Sequence, residues 1–169
     1  MDVRYINPFM ESIKHLFKTM LNTDLILSKP SIGQDDVRAD VSAVIGFSGD
    51  ASGFVVLCFP SSTAVRAASA FAGVTMTKDH EDFSDAIGEL ANIVAGQAKS
   101  KLEGLSISIS LPSVIIGREH VVLHSKQRPR LSIPCDSPLG RFTVEVAMAV
   151  KKRREGDGMA AAAAGASGG

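Results

Sequence analysis

The chain has no tryptophan and one tyrosine in 169 residues, and aromatic residues make up 5% of it. So few planar side chains leave little on which single-stranded bases could stack. Net charge is missing as well: 18 Lys and Arg offset 18 Asp and Glu, so no overall field draws the molecule to nucleic acid or an anionic membrane. No uninterrupted apolar run approaches the ~20 residues of a membrane-spanning helix. The first residues, Met1-Asp-Val-Arg-Tyr-Ile-Asn-Pro8, lack the basic and apolar tracts of a signal peptide. The expectation is a cytoplasmic protein with neither nucleic acid nor membrane among its partners.

Ligands for chemistry are scarce too. The two cysteines, Cys58 and Cys135, each sit inside an apolar strand-like run, which predicts two buried reduced thiols. Of the histidines at 15, 80, 120 and 124, only the last two are close. They lie in or beside a strand, where four residues span roughly 13 Å, too far to share one metal without a sharp bend. No cysteine or carboxylate cluster completes a site, so the sequence predicts no metal site and no nucleophilic one.

Apolar residues at 45% suffice for one real core at this length. Phe9, Ile13, Leu16, Phe17, Met20 and Leu21 recur at helical spacing after Asn7-Pro8, predicting a helix from 8 to about 22 with Asn7 as its cap. Pro30 to Asp36 reads as a turn-rich connection. Val41, Ala43 and Ile45 alternate along a strand, and Phe54 to Phe59 is a second one. The glycines of Ser48-Gly-Asp-Ala-Ser-Gly53 are read as a hairpin turn, since a phosphate cradle needs a lysine and a helix next. Pro60-Ser-Ser-Thr63 is expected to cap a shorter helix through Val65, Ala68, Phe71 and Ala72, stopped at Gly73.

A long helix follows from Asp82 to Leu102. Phe83, Ile87, Leu90, Ala91, Val94, Ala98 and Leu102 fall within one arc at about 100° per residue. Asp79, Glu81 and Asp82 lead in and Lys99 and Lys101 lead out, as the helix dipole favours. Strands are expected over Leu105–Leu111, Val114–Ile116, Val121–Leu123, Leu131–Cys135 and Arg141–Val150. In the last, Phe142, Val144, Val146, Met148 and Val150 face one way. The fold class is α+β: one domain over residues 1–150, a largely antiparallel sheet with two long helices and one shorter helix against it. Residues 151–169, Lys-Lys-Arg-Arg and then an Ala/Gly/Ser tract, are expected to be a low-complexity tail.

The outer face of the long helix carries Asp85, Glu89, Asn92 and Gly96. A Glu and an Asn three apart on a helix are most often solvated surface. Here the helix also holds two interior glycines, Gly88 and Gly96, each unfavourable by roughly 0.5–1 kcal/mol relative to alanine. Their missing side chains would let a partner backbone come close. Asparagine is a mediocre helix former placed away from a cap. These features point to a binding surface without naming a reaction.

Asp85-x-x-x-Glu89-x-x-Asn92-x-x-x-Gly96, with Leu102 and Pro112 beyond it, resembles the signature of the CheC/CheX/FliY family of chemotaxis phosphatases. The Gly49-Asp50 hairpin, and Phe59-Pro60 leading into a helix that ends at Gly73, are similar in context. The resemblance runs from about Asn7 to Val150, and its single motif is of the CheX type. It implies a CheC-like fold and a homodimer joined through sheet strands. The implied substrate is the phosphoaspartate of a CheY-type response regulator. The resemblance assigns Asn92 to positioning the attacking water, Glu89 to pairing with the regulator's active-site lysine, and Asp85 and Gly96 to partner contact. The chain then needs no cofactor of its own, because Mg²⁺ is expected in the regulator. A second reading keeps the surface and drops the chemistry: a non-catalytic dimeric adaptor that binds a response regulator, or another signalling domain, through the same face.

Overall fold

The computed structural model describes residues 3–32, 36–123 and 130–151. The expectations for His124 and for the tail from 152 onward lie outside them. A short 3₁₀ turn, Val3–Tyr5, leads into helix α1, Asn7–Thr19. Two-residue strands β1, Ile26–Leu27, and β2, Ser31–Ile32, precede the hairpin of β3, Arg38–Gly49, and β4, Ala51–Phe59. Helices α2, Ser61–Ala72, and α3, Phe83–Ser100, come next. Strands β5, Ile107–Ile109, β6, Ser113–Val121, β7, Leu131–Ser137, and β8, Gly140–Val150, complete the fold. One antiparallel sheet runs β1-β7-β8-β4-β3-β5, with β2 also on β7 and β6 also on β3. This is the expected α+β arrangement, with helices of 13, 12 and 18 residues.

One sheet face and the three helices enclose the main core. Alternation on β3 puts Val41, Ala43 and Ile45 at 0% exposure, and β8 adds Phe142, Val144, Val146 and Met148 to the same cluster. Phe142 stacks on Phe17 of α1 at 5.1 Å and on Phe59 of β4 at 4.9 Å. All seven apolar positions predicted for the long helix are buried. Lys101, just past its end, reaches Glu11 of α1 at 2.9 Å, so α3 is held at both its side and its end.

Several local expectations are corrected by contacts distant in sequence. Asn7 is the first helical residue of α1 and no side chain caps it. The 3₁₀ turn carries helical backbone through Ile6, so Asn7 never takes the extended conformation a cap needs. No side chain of Pro60-Ser-Ser-Thr63 caps α2. The Ser61 N–H donates to Asp40 of β3 at 2.9 Å, and Thr63 is buried, donating to the Arg141 carbonyl at 3.0 Å. The α2 stop holds: Gly73 is left-handed, with φ 70°.

Only Asp50 lies between β3 and β4, with Gly49 before it at φ 108°. Gly53 lies inside β4, where a Cβ would collide with the Ala147 carbonyl of β8. Of the strand expected from Leu105 to Leu111, only Ile107–Ile109 pairs. Ser110 then holds β3 with its main-chain N–H and its hydroxyl, to Gly46, and the chain bends into β6. Conversely, Val114 to Val121 is one strand through Gly117, with a register shift on β3 between Ala39 and Val41. Glu119 there has φ 44° and donates its N–H to Asp40 at 3.1 Å.

The second sheet face carries a smaller cluster of Ala39, Val56 and Cys58, and beside it Glu145 at 1% exposure. Arg130 lies 3.1 Å from that carboxylate, and Ser132 donates to it at 3.4 Å. His120 Nε2 meets the buried Ser42 hydroxyl at 2.8 Å.

Candidate active site

The period that buries one face of α3 fixes what the other presents. Leu90, Ala91, Val94 and Ala95 are all at 0% exposure, so Glu89 and Asn92, three apart, project from the far side together. Glu89 is exposed and Asn92 half-buried. Their side chains meet, Asn92 Nδ2 donating to Glu89 Oε2 at 3.3 Å. That is long for an N–H···O bond, so a stronger partner can displace it. Asp85 is exposed one turn earlier. Gly96 lies one turn later, and an added Cβ there would meet nothing within 4 Å.

Gly88 does not belong with this open surface. It is buried, and a Cβ on it would stand 3.3 Å from Pro112 Cγ and 3.4 Å from Val114 Cγ2. Its missing side chain admits β6 and the bend before it, within the same chain. The reading of Gly88 as an opening for a partner is therefore corrected, whereas Gly96 keeps that geometry.

Asp85 and Glu89 form a ridge between two grooves of about 450 Å³ each. One is completed by Ser84, Gly88, Pro112 and Val114. The other is completed by Phe71, Ala72, Val74, Met76, Asp82 and Ala86. Pro112 belongs to the family-like pattern in the sequence. Val74 and Met76 carried no signal there, because they fall in the connection between helices.

Other chemistry lies elsewhere. Cys58 and Cys135 are free and buried, and burial pushes both thiols up to about 12, so neither is a thiolate at neutral pH. Among the described residues no three His, Cys, Asp or Glu side chains gather as a metal site, and no helix is long and apolar enough to cross a membrane. An exposed acid and amide on a rigid helix can orient a water or a cation on a docked partner.

Comparison with known proteins gives this surface a context. The family model described as chemotaxis phosphatase CheX matches residues 41–136, more than half of the chain. The CheY-P phosphatase CheX of Thermotoga maritima is 31% identical over 123 residues, covering 70% of this chain and 79% of that protein. A CheC-like superfamily protein from Shewanella sp. PV-4 superposes with a TM-score of 0.81 at 29% identity, over 88% of this chain and 99% of that one. CheX in the CheX–CheY–BeF₃–Mg²⁺ complex of Borrelia burgdorferi superposes with a TM-score of 0.71 at 25% identity, over 88% and 98%. With the α+β sheet and the Glu89–Asn92 face in place, the chain belongs to the CheX family of chemotaxis phosphatases.

Proposed function

We propose that this chain hydrolyses the phosphoaspartate of a CheY-type response regulator in the cytoplasm, with residues 1–150 as the phosphatase domain. One observation carries the reading: Glu89 and Asn92 are in contact on the outer face of a helix whose inner face is fully packed. The names of the Thermotoga relative and of the Borrelia complex, which contains CheY and Mg²⁺, support the substrate class.

An acyl phosphate on a regulator that carries its own Mg²⁺ and lysine needs little more than a positioned water. Asn92 supplies it, since an amide donates and accepts at once and adds no negative charge beside the phosphoryl group. Glu89 pairs with the regulator's lysine, and the long Asn92–Glu89 bond gives way as it does so. That exchange frees the amide, whose Oδ1 accepts a hydrogen bond from the water and holds it in line with the phosphorus. Asp85 and Gly96 flank the contact, one as an acid on the rim and the other as open backbone. Positioning one water in this way contributes on the order of 10²-fold or more.

The test is the phosphate lifetime of purified CheY-type regulators, with the wild type and with Asn92→Ala. The wild type is expected to shorten it about 10²-fold and Asn92→Ala to leave it near the unassisted value. A wild type that binds the phosphorylated regulator without shortening the lifetime establishes the adaptor reading instead.

We also propose a homodimer joined through strand β6. Among the described residues β6 pairs with β3 alone; it exposes Ile115 on one face and Ile116 on the other, with Leu111 and Leu123 just beyond its ends, and an open apolar edge strand calls for cover. Sedimentation of the wild type and of Ile116→Lys checks this, with loss of the dimer expected in the variant.

A further inference from the structure

The groove between the end of α2 and the start of α3 has no part in the water-positioning step. Its floor and wall are apolar: Phe71, Ala72, Val74, Met76 and Ala86. Its rim is acidic, formed by Asp82, Asp85 and Glu89. Val74 keeps 53% of its surface exposed, although Met76 two residues on is buried at 4%. The connection thus anchors through one apolar side chain and presents another to solvent. His80 Nδ1 lies 3.9 Å from the Asp82 carboxylate and accepts from the Asp82 main-chain N–H at 3.2 Å.

We propose that this groove is a specificity-determining dock for the response regulator, and that it takes an apolar side chain flanked by basic residues beside the phosphorylation site. The inference rests on the proposed function, because the groove reaches the reaction only through the docked regulator. Two observations select that occupant. Glu89 lies in the rim, so whatever engages Glu89 covers the groove's mouth. The three rim carboxylates favour a cationic partner, and rim charges of this kind steer encounter and reject partners of like sign.

A contact made equally before and during the reaction changes KM and leaves kcat alone. Val74→Lys removes the apolar contact and places a cation where the partner's own cations would sit. Since Val74 is exposed, the fold tolerates the change. We expect KM for the phosphorylated regulator to rise at least tenfold, with kcat within twofold. Binding of the beryllofluoride-activated regulator should weaken by the same factor. The control Ile26→Lys, 70% exposed on strand β1 at the far edge of the sheet, should change neither.

An active wild type with an unchanged KM in Val74→Lys overturns the groove and leaves the phosphatase reading standing. A fall in kcat at unchanged KM overturns it too, by making Val74 part of the chemistry. So does a shift in oligomeric state at unchanged KM, which assigns the groove to a second copy of the chain. A wild type that neither binds nor dephosphorylates any regulator overturns both readings.

Discussion

Two glycines about two turns apart on α3 should respond oppositely to the same substitution. An added Cβ at Gly96 meets nothing within 4 Å, so Gly96→Ala delivers the backbone-entropy gain undiluted, about 0.5–1 kcal/mol in a helix interior. At this chain length that corresponds to a rise in Tm of about 1–4 °C. At Gly88 the same gain opposes contacts of 3.3 and 3.4 Å with the Pro112 ring and 3.4 Å with Val114. Overpacking of that kind is unfavourable by about 1–3 kcal/mol. A proline ring tied to the backbone has little room to yield, so Gly88→Ala should lose on the order of 1 kcal/mol net.

Urea melts followed by far-ultraviolet circular dichroism read both signs, provided the m-values agree. The functional sign should then reverse for Gly96→Ala. A methyl group on the proposed docking face should lower phosphatase activity at subsaturating regulator, although the protein is more stable. A Gly96→Ala variant that melts earlier refutes the open-space assignment. One that is more stable and fully active removes Gly96 from the docking surface. Stabilisation of Gly88→Ala to the same extent would show that Pro112 is not pressed against α3.

Asn92→Asp should slow dephosphorylation nearly as much as Asn92→Ala near neutral pH, because it keeps the size and adds repulsion toward the phosphoryl group; the phosphate-lifetime assay decides. Glu89→Gln should raise KM with Tm within about 2 °C, since exposed substitutions usually lie within ±0.5 kcal/mol. The main-chain N–H groups of Ser61 and then Glu119 hold Asp40 below its ordinary 3.8, so its contribution is complete above that value and is lost as pH falls through the lower folded one. Asp40→Ala should remove this acid-side dependence and lose about 0.5–2 kcal/mol as an absent cap does, read by melts at several pH values. Burial raises Glu145 above its ordinary 4.5, against the pull of Arg130. The folded state therefore keeps its proton longer, and this term weakens stability as pH rises from 4.5 through the raised value. Glu145→Gln should flatten that slope in the same melts.

What could be read from the sequence was what repeats locally. Helix α3 was legible because its apolar period persists for 18 residues, and every position it marked is buried. Strands β1 and β2, two residues each, are too short to show any period. Glu145 reads as the solvent side of an alternating strand. Its ion-pair partner Arg130 lies on the β7 side of the sheet, where no local pattern could pair them. The cap of α2 failed for the same reason, since its acceptor Asp40 comes from a strand 21 residues earlier. Gly88 and Gly96 look alike in sequence. Only the fold brings Pro112 against one and leaves the other open.

On the proposed mechanism, the position of the acid–amide pair follows from what the reaction leaves for this chain to supply. A site that had to generate a nucleophile or hold its own metal would need converging side chains in a cleft. A chain that only orients one water on a partner's phosphoryl group needs a single amide at a fixed height and angle, and it needs it to protrude. A helix face answers this better than a loop, because packing of Leu90, Ala91 and Val94 fixes the rotation about the axis. The Lys101–Glu11 ion pair and the contact with α1 resist sliding along it. The same period that buries α3 therefore aims Asn92, and in the proposed mechanism a core change that rotates the helix alters the water's angle without touching Asn92 itself. Leu90→Ala should accordingly reduce kcat by more than its loss of folded protein explains, with KM for the regulator less affected. Equal loss of kcat and folded fraction would show that α3 does not set the aim.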